Sequence, residues 1–322
     1  MSFSSAGYQL QPVLPELVLA VGAMVLLMIG AYRGQGTTRL VTTLAVLLLV
    51  VTGLVMGGLI PRGWVENDEI VRILGIAVSI FIGFRNTQAI SRWWEARKLW
   101  GTMVNQSRNW ADSLAAYLPV STQGRRWTTR LVRLQVAIVW QLNFQLRNSW
   151  HRDLRSLQNE LLQALRLPDT TNLRQLGMQR GLWLQRLHAE GLLDGWGRHQ
   201  LVEVGNACTD AIGGLERIRN TPLPASYDVF VRIINWVFGI QLLLSFHYQD
   251  GGRFSSFNGF MIMLCFLMAE RIGAYVEGPF DADGSSFSLP LNSICLSISR
   301  DLLESEADHV LHLQSQDPVR WT

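Results

Sequence analysis

The sequence predicts an all-α membrane protein, and three observations carry that prediction. Of the 322 residues, 48% are hydrophobic and the mean hydropathy is +0.16, which is too apolar for a typical soluble enzyme of this length. Four uncharged runs of 16 to 22 residues come close to the roughly 20 residues that a helix needs to cross a bilayer. No alternation of apolar and polar residues competes with the helical patterns.

The charged and chemically reactive residues exclude several other classes of protein. The formal net charge is only +3, and Lys98 is the one lysine among the basic residues, so nucleic-acid binding is not expected. Cys208, Cys265 and Cys295 form no CxxC pair and indicate reduced structural thiols rather than disulfides or zinc ligands. No nucleophile-elbow, P-loop or dinucleotide-binding motif is present, so we expect neither an enzyme activity nor a cofactor.

Residues 1–62 predict an N-terminal membrane hairpin. Its two spans are Val13–Tyr32 and Leu40–Pro61, and the second is the strongest membrane signal in the chain. Arg33 and Arg39 lie in the connector, which the positive-inside rule places in the cytoplasm, with the amino terminus outside.

Residues 63–101 are predicted to form a further membrane helix, whose apolar run is shorter than those of the first two spans. Its apolar run, Ile73–Phe84, is bracketed by Arg72 and Arg85 and is too short to cross a bilayer alone, so something other than lipid must cover it. One helix face, spaced i, i+4 and i+8, carries large apolar side chains: Ile76, Ile80 and Phe84. An adjacent face carries small residues that allow close helix packing: Gly75, Ser79 and Gly83. Taken alone, such a stripe is more often an ordinary buried helix seam.

The decapeptide that follows is rich in indole rings and charges. Arg92, Trp93 and Trp94 stand at the expected membrane exit, where aromatic rings favour the interface, and we expect them to act as interface anchors.

The remainder of the chain divides into three parts. Residues 102–227 predict an arginine-rich cytoplasmic helical domain that ends at two prolines, Pro222 and Pro224, which cannot continue a helix. Residues 228–276 predict a membrane hairpin with a glycine-rich turn. Residues 277–322 predict a cytoplasmic C-terminal loop and an amphipathic helix, Leu291–Leu313.

Four stretches carry a resemblance to a known family: GIAVSIFIGFRN, SRWWEARKLWG, ERIRNTPLPASY and EGPFDADGSSFSLPL. Over about residues 70–304 the chain resembles the bestrophin family, specifically its bacterial members. The resemblance implies a pentameric ion channel with four to five membrane helices and a cytoplasmic helical domain. Ile76, Ile80 and Phe84 match the family's three-ring hydrophobic neck, and such a constriction can gate by dewetting.

The same resemblance sets the expected partners and location. We expect a homopentamer in contact with the lipid bilayer and with permeant small ions, multi-pass in the inner (plasma) membrane. Anions such as chloride are favoured, because the family is best represented by chloride channels and the cytoplasmic helices are rich in arginine. Cation permeation stays open, since some bacterial members pass cations and apolar neck residues carry no sign. A second constriction is expected somewhere between Trp196 and Val204.

The loop after the membrane hairpin contains the weak calcium candidates Asp281 and Asp283. In animal bestrophins a dense acidic run at this point forms a calcium clasp. Two carboxylates are few for a cation that takes 6 to 8 oxygen ligands, and the alternative is a solvated acidic turn. We therefore expect no metal here.

The first 62 residues do not resemble a bestrophin amino terminus. The runs LPELVLAVGAMVLLMIGAYRG and TRLVTTLAVLLLVVTGLVM resemble the start of the N subunit of bacterial proton-pumping NADH dehydrogenase. A gene fusion, a rearranged start or an artificial chimera would each explain this, with Leu40–Pro61 taking the place of the usual first span. The rival function is a membrane subunit or anchor of a respiratory complex. Pumping needs charged residues near mid-membrane, and these two spans contain none there, because Glu16 lies at an end.

Overall fold

The computed structural model describes residues 68–148, 152–249, 253–281 and 287–303. Within these ranges the chain forms helices and no strand, which confirms the all-α prediction. The eight helices are α1 Asp68–Tyr117, α2 Thr122–Arg147, α3 Arg152–Ala164, α4 Leu173–Ala189, α5 Gly195–Asn220, α6 Ala225–Gln249, α7 Arg253–Val276 and α8 Leu291–Leu303. The predicted N-terminal hairpin at residues 1–62, Asp283, and the part of the predicted C-terminal helix beyond Leu303 lie outside the described residues.

Helix α1 has 50 residues and crosses the division expected between residues 101 and 102. At 1.5 Å per residue it is about 75 Å long, more than twice the hydrocarbon thickness of a bilayer. It contains no proline, and Pro119 follows two residues after its last residue. One continuous helix therefore serves both as a membrane segment and as part of the helical domain.

Among the described residues, three helices are long and apolar enough to cross a membrane: Glu69–Tyr117, Ser226–Tyr248 and Ser255–Val276, within α1, α6 and α7. Helices α6 and α7 occupy the range in which a membrane hairpin is predicted. Near its middle, a Cβ added at Gly239 would lie 2.6 Å from the Cγ atom of Met263, so glycine is needed for this close approach. The Asn235 side chain donates a hydrogen bond to the carbonyl of Phe266 (3.3 Å).

The described residues fall into two compact units. One contains Gly239–Leu264 with the start of α1 as far as Arg72, and the other contains Ile73–Phe238 with the described residues from Cys265 on.

The second unit has a large core centred on α2, which contacts α3, α4, α5 and α8. Indole rings fill much of it, and two of them donate hydrogen bonds to buried polar partners. The Trp110 ring donates to the carbonyl of Leu131 (3.2 Å), and the Trp140 ring donates to the Ser299 hydroxyl (3.1 Å). The C-terminal half of α1 is thus fixed in the core of the helical domain.

Three of the helices begin at side-chain caps. Ser121, Asn172 and Asp194 accept hydrogen bonds from the backbone N–H groups three residues on, at the starts of α2, α4 and α5. Asn172 and Gln175 complete a capping box.

We predict that Gly124→Ala destabilises the helical domain, because the new Cβ would collide with the backbone carbonyl of Pro119. A backbone oxygen cannot move aside as a side chain can, so we expect a loss of about 1 to 3 kcal/mol. The matched control is Gly195→Ala, in the first turn of α5, where an added Cβ meets nothing within 4 Å. The melting temperature, followed by tryptophan fluorescence in detergent, should fall for the first variant only. Equal melting temperatures would contradict this packing.

Candidate pore helix and its ion cluster

The predicted stripe of large apolar side chains lies on an exposed face of α1. Ile76 is 63% exposed, Ile80 51% and Phe84 62% in the isolated chain. Residues four apart are about 40° apart around a helix, so the three share one face over more than two turns. A continuous apolar surface of this kind marks a contact with another protein surface or with lipid.

The predicted small-residue stripe packs only in part within this chain. A Cβ at Gly75 would lie 3.0 Å from the Phe238 ring of α6, so Gly75 does allow a close helix approach. The Ser79 hydroxyl donates to the carbonyl of Gly75 (2.7 Å) and is exposed. An added Cβ at Gly83 meets nothing within 4 Å. The i, i+4, i+8 spacing rotates by about 40° at each step, which carries this stripe from the α6 contact towards the exposed apolar face.

Arg85 follows the exposed stripe directly and is buried, with 2% of its side chain exposed. Its Nη1 atom donates to the backbone carbonyl of Glu270 (2.7 Å) and lies 3.3 Å from the Glu270 carboxylate. Its Nη2 atom pairs with the carboxylate of Asp228 and lies 3.8 Å from that of Glu277. One guanidinium therefore joins α1 to both helices of the hairpin.

Two further arginines balance the three carboxylates. Arg232 Nη2 donates to Asp228 (2.8 Å), and Arg232 Nε lies 3.8 Å from Glu270. Arg271 Nε lies 3.5 Å from the second oxygen of Glu270. We call this set the Arg85 cluster; its members are Arg85, Asp228, Arg232, Glu270, Arg271 and Glu277. Each of the three cations lies within 4.0 Å of at least one carboxylate, and the shortest pairs are hydrogen-bonded, which offsets the desolvation of the buried ions.

Two uncharged side chains reinforce the same contact of α1 with α6 and α7, which we call the α1 junction. The Asn86 amide donates to the carbonyl of Ala269 (3.0 Å), and the Tyr227 hydroxyl donates to the carbonyl of Phe81 (3.2 Å). Glycine is required at position 273, because a Cβ there would collide with the Asn86 side chain. Charged and neutral contacts thus lock the same turns of α1 against α6 and α7.

The sequence alone missed this cluster. It identified Arg85 only as the end of an apolar run, although charges at the edges of membrane segments are costly and usually have partners. The signal that could have found the cluster is the position of Asp228, Arg232, Glu270 and Arg271 at the outer ends of the apolar runs of α6 and α7, away from the turn between them.

The predicted interface anchors contact protein as well. Arg92 donates to the carbonyl of Ile218 (2.7 Å) and also to that of Thr221, at the end of α5. The Trp93 ring donates to the carbonyl of Phe287 (2.6 Å). Trp94 is more than half exposed and stands edge-on to Trp93. Arg92 and Trp93 therefore attach α1 to other segments of this chain. Trp94, by contrast, exposes most of its ring.

The remaining predicted positions lie outside this junction. Asp281 is exposed and lies 3.6 Å from Arg219, while Asp283 is not among the described residues. In the described ranges, no group of three or more His, Cys, Asp and Glu side chains is placed to hold a metal ion. The range expected to hold a second constriction forms the start of α5, where Trp196 and Val202 are exposed.

Comparison with known proteins identifies similar chains. The family model described as "Bacterial/Fungal Bestrophin protein" matches residues 23–304. A voltage-dependent anion channel-forming protein of Ralstonia nicotianae is 31% identical over 239 residues, which are 72% of this chain and 76% of the relative. The voltage-dependent anion channel-forming protein YneE of Escherichia coli K12 is 30% identical over 72% of this chain and 74% of its own length.

The fold is similar to a solved structure. The crystal structure of a bacterial bestrophin homologue from Klebsiella pneumoniae matches with a TM-score of 0.67 and 27% identity, covering 80% of this chain and 96% of that one. The family model also corrects one expectation. The match begins at residue 23 rather than near residue 70, so it includes the predicted span Leu40–Pro61, which the sequence had set apart from the family.

We predict that Arg85→Met destabilises the protein by about 3 to 5 kcal/mol, because it removes the most deeply buried cation of the cluster and leaves the buried Glu270 with only its longer contacts to Arg232 and Arg271. Adding Glu270→Gln should restore part of the loss, since that carboxylate is then neutral. The matched control is Arg217→Met, which breaks the exposed pair with Glu95 and should cost under about 1 kcal/mol. The measurement is the melting temperature of the purified protein. A single variant as stable as the control would show that the cluster does not hold α1.

Proposed function

The chain belongs to the bacterial and fungal bestrophin family, and from that membership we propose that five copies assemble around one axis into a channel for small anions such as chloride. The observation that carries the proposal is the exposed apolar face of α1. Relatives at 30 to 31% identity are named voltage-dependent anion channel-forming proteins, which supports a channel rather than an enzyme.

The exposed stripe would form the neck of this channel. Five copies of Ile76, Ile80 and Phe84 around the axis would cover one another and make three apolar rings. A narrow apolar passage disfavours water, so the neck would close by dewetting and conduct only when it widens.

The Arg85 cluster would set the orientation of this neck. It begins one residue after the third ring and fixes the opposite side of α1 against the hairpin, so the stripe is left to face the axis. Because the cluster holds buried charges, rotation of α1 within the subunit would cost the free energy of breaking it. Gating would then move the subunit or its hairpin together with α1, rather than turn α1 alone.

The membrane topology follows the same proposal. Residues 63–101 would cross as the pore helix and residues 228–276 as a hairpin, with one or two spans from residues 1–62 completing four to five membrane helices. Residues 102–227 and 277–322 would lie in the cytoplasm. Exposed apolar side chains of α6 and α7, such as Ile233 and Ile272, would face lipid.

Selectivity would come from the cytoplasmic part. From residue 108 to residue 219 there are fifteen arginines and nine acidic residues. Five copies around one axis would give a vestibule of positive potential that concentrates anions, whereas the neck itself carries no charge.

We predict that replacing Ile76, Ile80 and Phe84 together with Ala raises single-channel conductance in planar bilayers and weakens gating, because smaller side chains widen and wet the neck. The matched control is Ile233→Ala, which removes the same groups from an exposed isoleucine that we place towards lipid. An increase of several-fold is expected for the triple variant and none for the control. An unchanged current in the triple variant would remove these residues from the neck.

We predict that a potassium chloride gradient across the bilayer shifts the reversal potential towards the chloride equilibrium potential, because the vestibule attracts anions. Replacing chloride with gluconate on one side should abolish the inward movement of anions from that side. A shift towards the potassium equilibrium potential would assign cation permeation instead and reject the anion proposal.

A further inference from the structure

The exposed side of α1 continues beyond the last residue of the stripe, Phe84. Exposed side chains recur every three or four positions towards the end of the helix: Thr87, Ser91, Trp94, Lys98, Thr102, Asn105, Asn109 and Asp112. Steps of three and four residues turn a helix by about −60° and +40°, so alternating steps stay on one side. These residues therefore share the side of α1 that carries Ile76 and Ile80. We call this side, with the stripe included, the open face of α1.

The open face changes in character after the stripe. It is apolar from Ile76 to Phe84, whereas hydroxyl and amide groups occupy most of the positions that follow. From Ile76 to Asn109 it carries one charged side chain, Lys98, which is the only lysine of the chain. The other charged residues of this stretch lie about 60° or more round the helix from Lys98: Arg85, Arg92, Glu95, Arg97 and Arg108. Lys98 is thus the first charge on the open face after the stripe.

The charge of Lys98 is not neutralised by the part of the chain that the structure describes. Glu95 is the nearest carboxylate in the sequence, one turn earlier, but it pairs with Arg217 of α5. The Lys98 side chain is exposed, and no described carboxylate lies within 4.0 Å of its ammonium nitrogen. An exposed charge without a fixed partner attracts mobile ions of opposite sign.

We propose that Lys98 determines the ion selectivity of the channel, with five copies of its ammonium group forming a positive ring on the wall of the ion path. This inference rests on the proposed function and names the charge that would give the channel its preference for anions. Lys98 comes 14 residues after Phe84, which is about 21 Å along the helix, so the ring is separate from the neck.

A lysine suits this position better than an arginine does. Its ammonium is a compact, strongly hydrated point charge on a flexible stem, whereas a guanidinium holds an anion in a rigid fork of hydrogen bonds. Conduction needs a site that attracts an ion but also releases it. A ring of hydrated ammonium groups would concentrate chloride while leaving it free to move on.

The test is the reversal potential of the full chain in planar bilayers under a potassium chloride gradient near 0.15 M, where charges are screened over about 8 Å. Lys98→Met should lower the ratio of chloride to potassium permeability at least about threefold, because it removes the positive ring from the ion path. Lys98→Glu should lower the ratio further, and Lys98→Arg should preserve the preference for chloride.

The matched control is Arg97→Met. It removes the same charge one residue earlier, about 100° round the helix and off the open face, so it should leave the permeability ratio almost unchanged. Lys98→Met should melt at the same temperature as the unchanged chain, because the exposed ammonium has no described carboxylate partner to lose.

The outcomes separate this inference from the proposed function. An anion-selective channel in which Lys98→Met and Arg97→Met give equal permeability ratios would overturn the role of Lys98 and leave the channel standing. An unchanged chain that carries no current, or that prefers potassium, would contradict the proposed function itself, and the role of Lys98 would fall with it.

Discussion

The Arg85 cluster is the constraint on which the arrangement of the membrane helices depends. Three cations and three carboxylates meet at one level of α1, α6 and α7, and the guanidinium at the centre is almost wholly buried. Burying such charges is costly, so they are tolerated only while every partner is in place. The cluster therefore fixes which side of α1 faces the hairpin. The opposite side carries three large apolar side chains that no other described residue covers.

Helix α1 is unbroken, so the Arg85 cluster also connects the exposed stripe mechanically to the helical domain. The same helix passes the hairpin, attaches to the end of α5 through Arg92, and enters the core of the helical domain with Trp100 and Trp110 fully buried. A long helix held at several levels behaves as a rigid element. A movement of the helical domain would accordingly be transmitted to the exposed stripe without a hinge in α1.

The sequence predicted features that depend on neighbouring residues, but not the contacts between residues that are far apart in the chain. Ile76, Ile80 and Phe84 were recognisable because helical periodicity acts over a few residues, and the hairpin helices because hydropathy does. The partners of Arg85 stand 143 and 185 residues further along the chain, so their pairing depends on the fold. For the same reason Arg92 and Trp93 were predicted as lipid-interface anchors, whereas they bond to backbone carbonyls more than 120 residues away. Helical spacing did place Gly75, Ser79 and Gly83 on one face, but it could not tell that Gly75 packs closely against Phe238 of α6 whereas Gly83 has no described atom within 4 Å of an added Cβ.

The central claim is that the uncovered face of α1 meets its own copies around an axis. It is tested most directly by a cryo-electron microscopy structure of the full chain in lipid nanodiscs. We expect a fivefold ring in which the side chains of Ile76, Ile80 and Phe84 point towards the axis and the Arg85 cluster lies on the far side of α1. A particle without a central axis, or a ring in which these side chains face lipid, would contradict it.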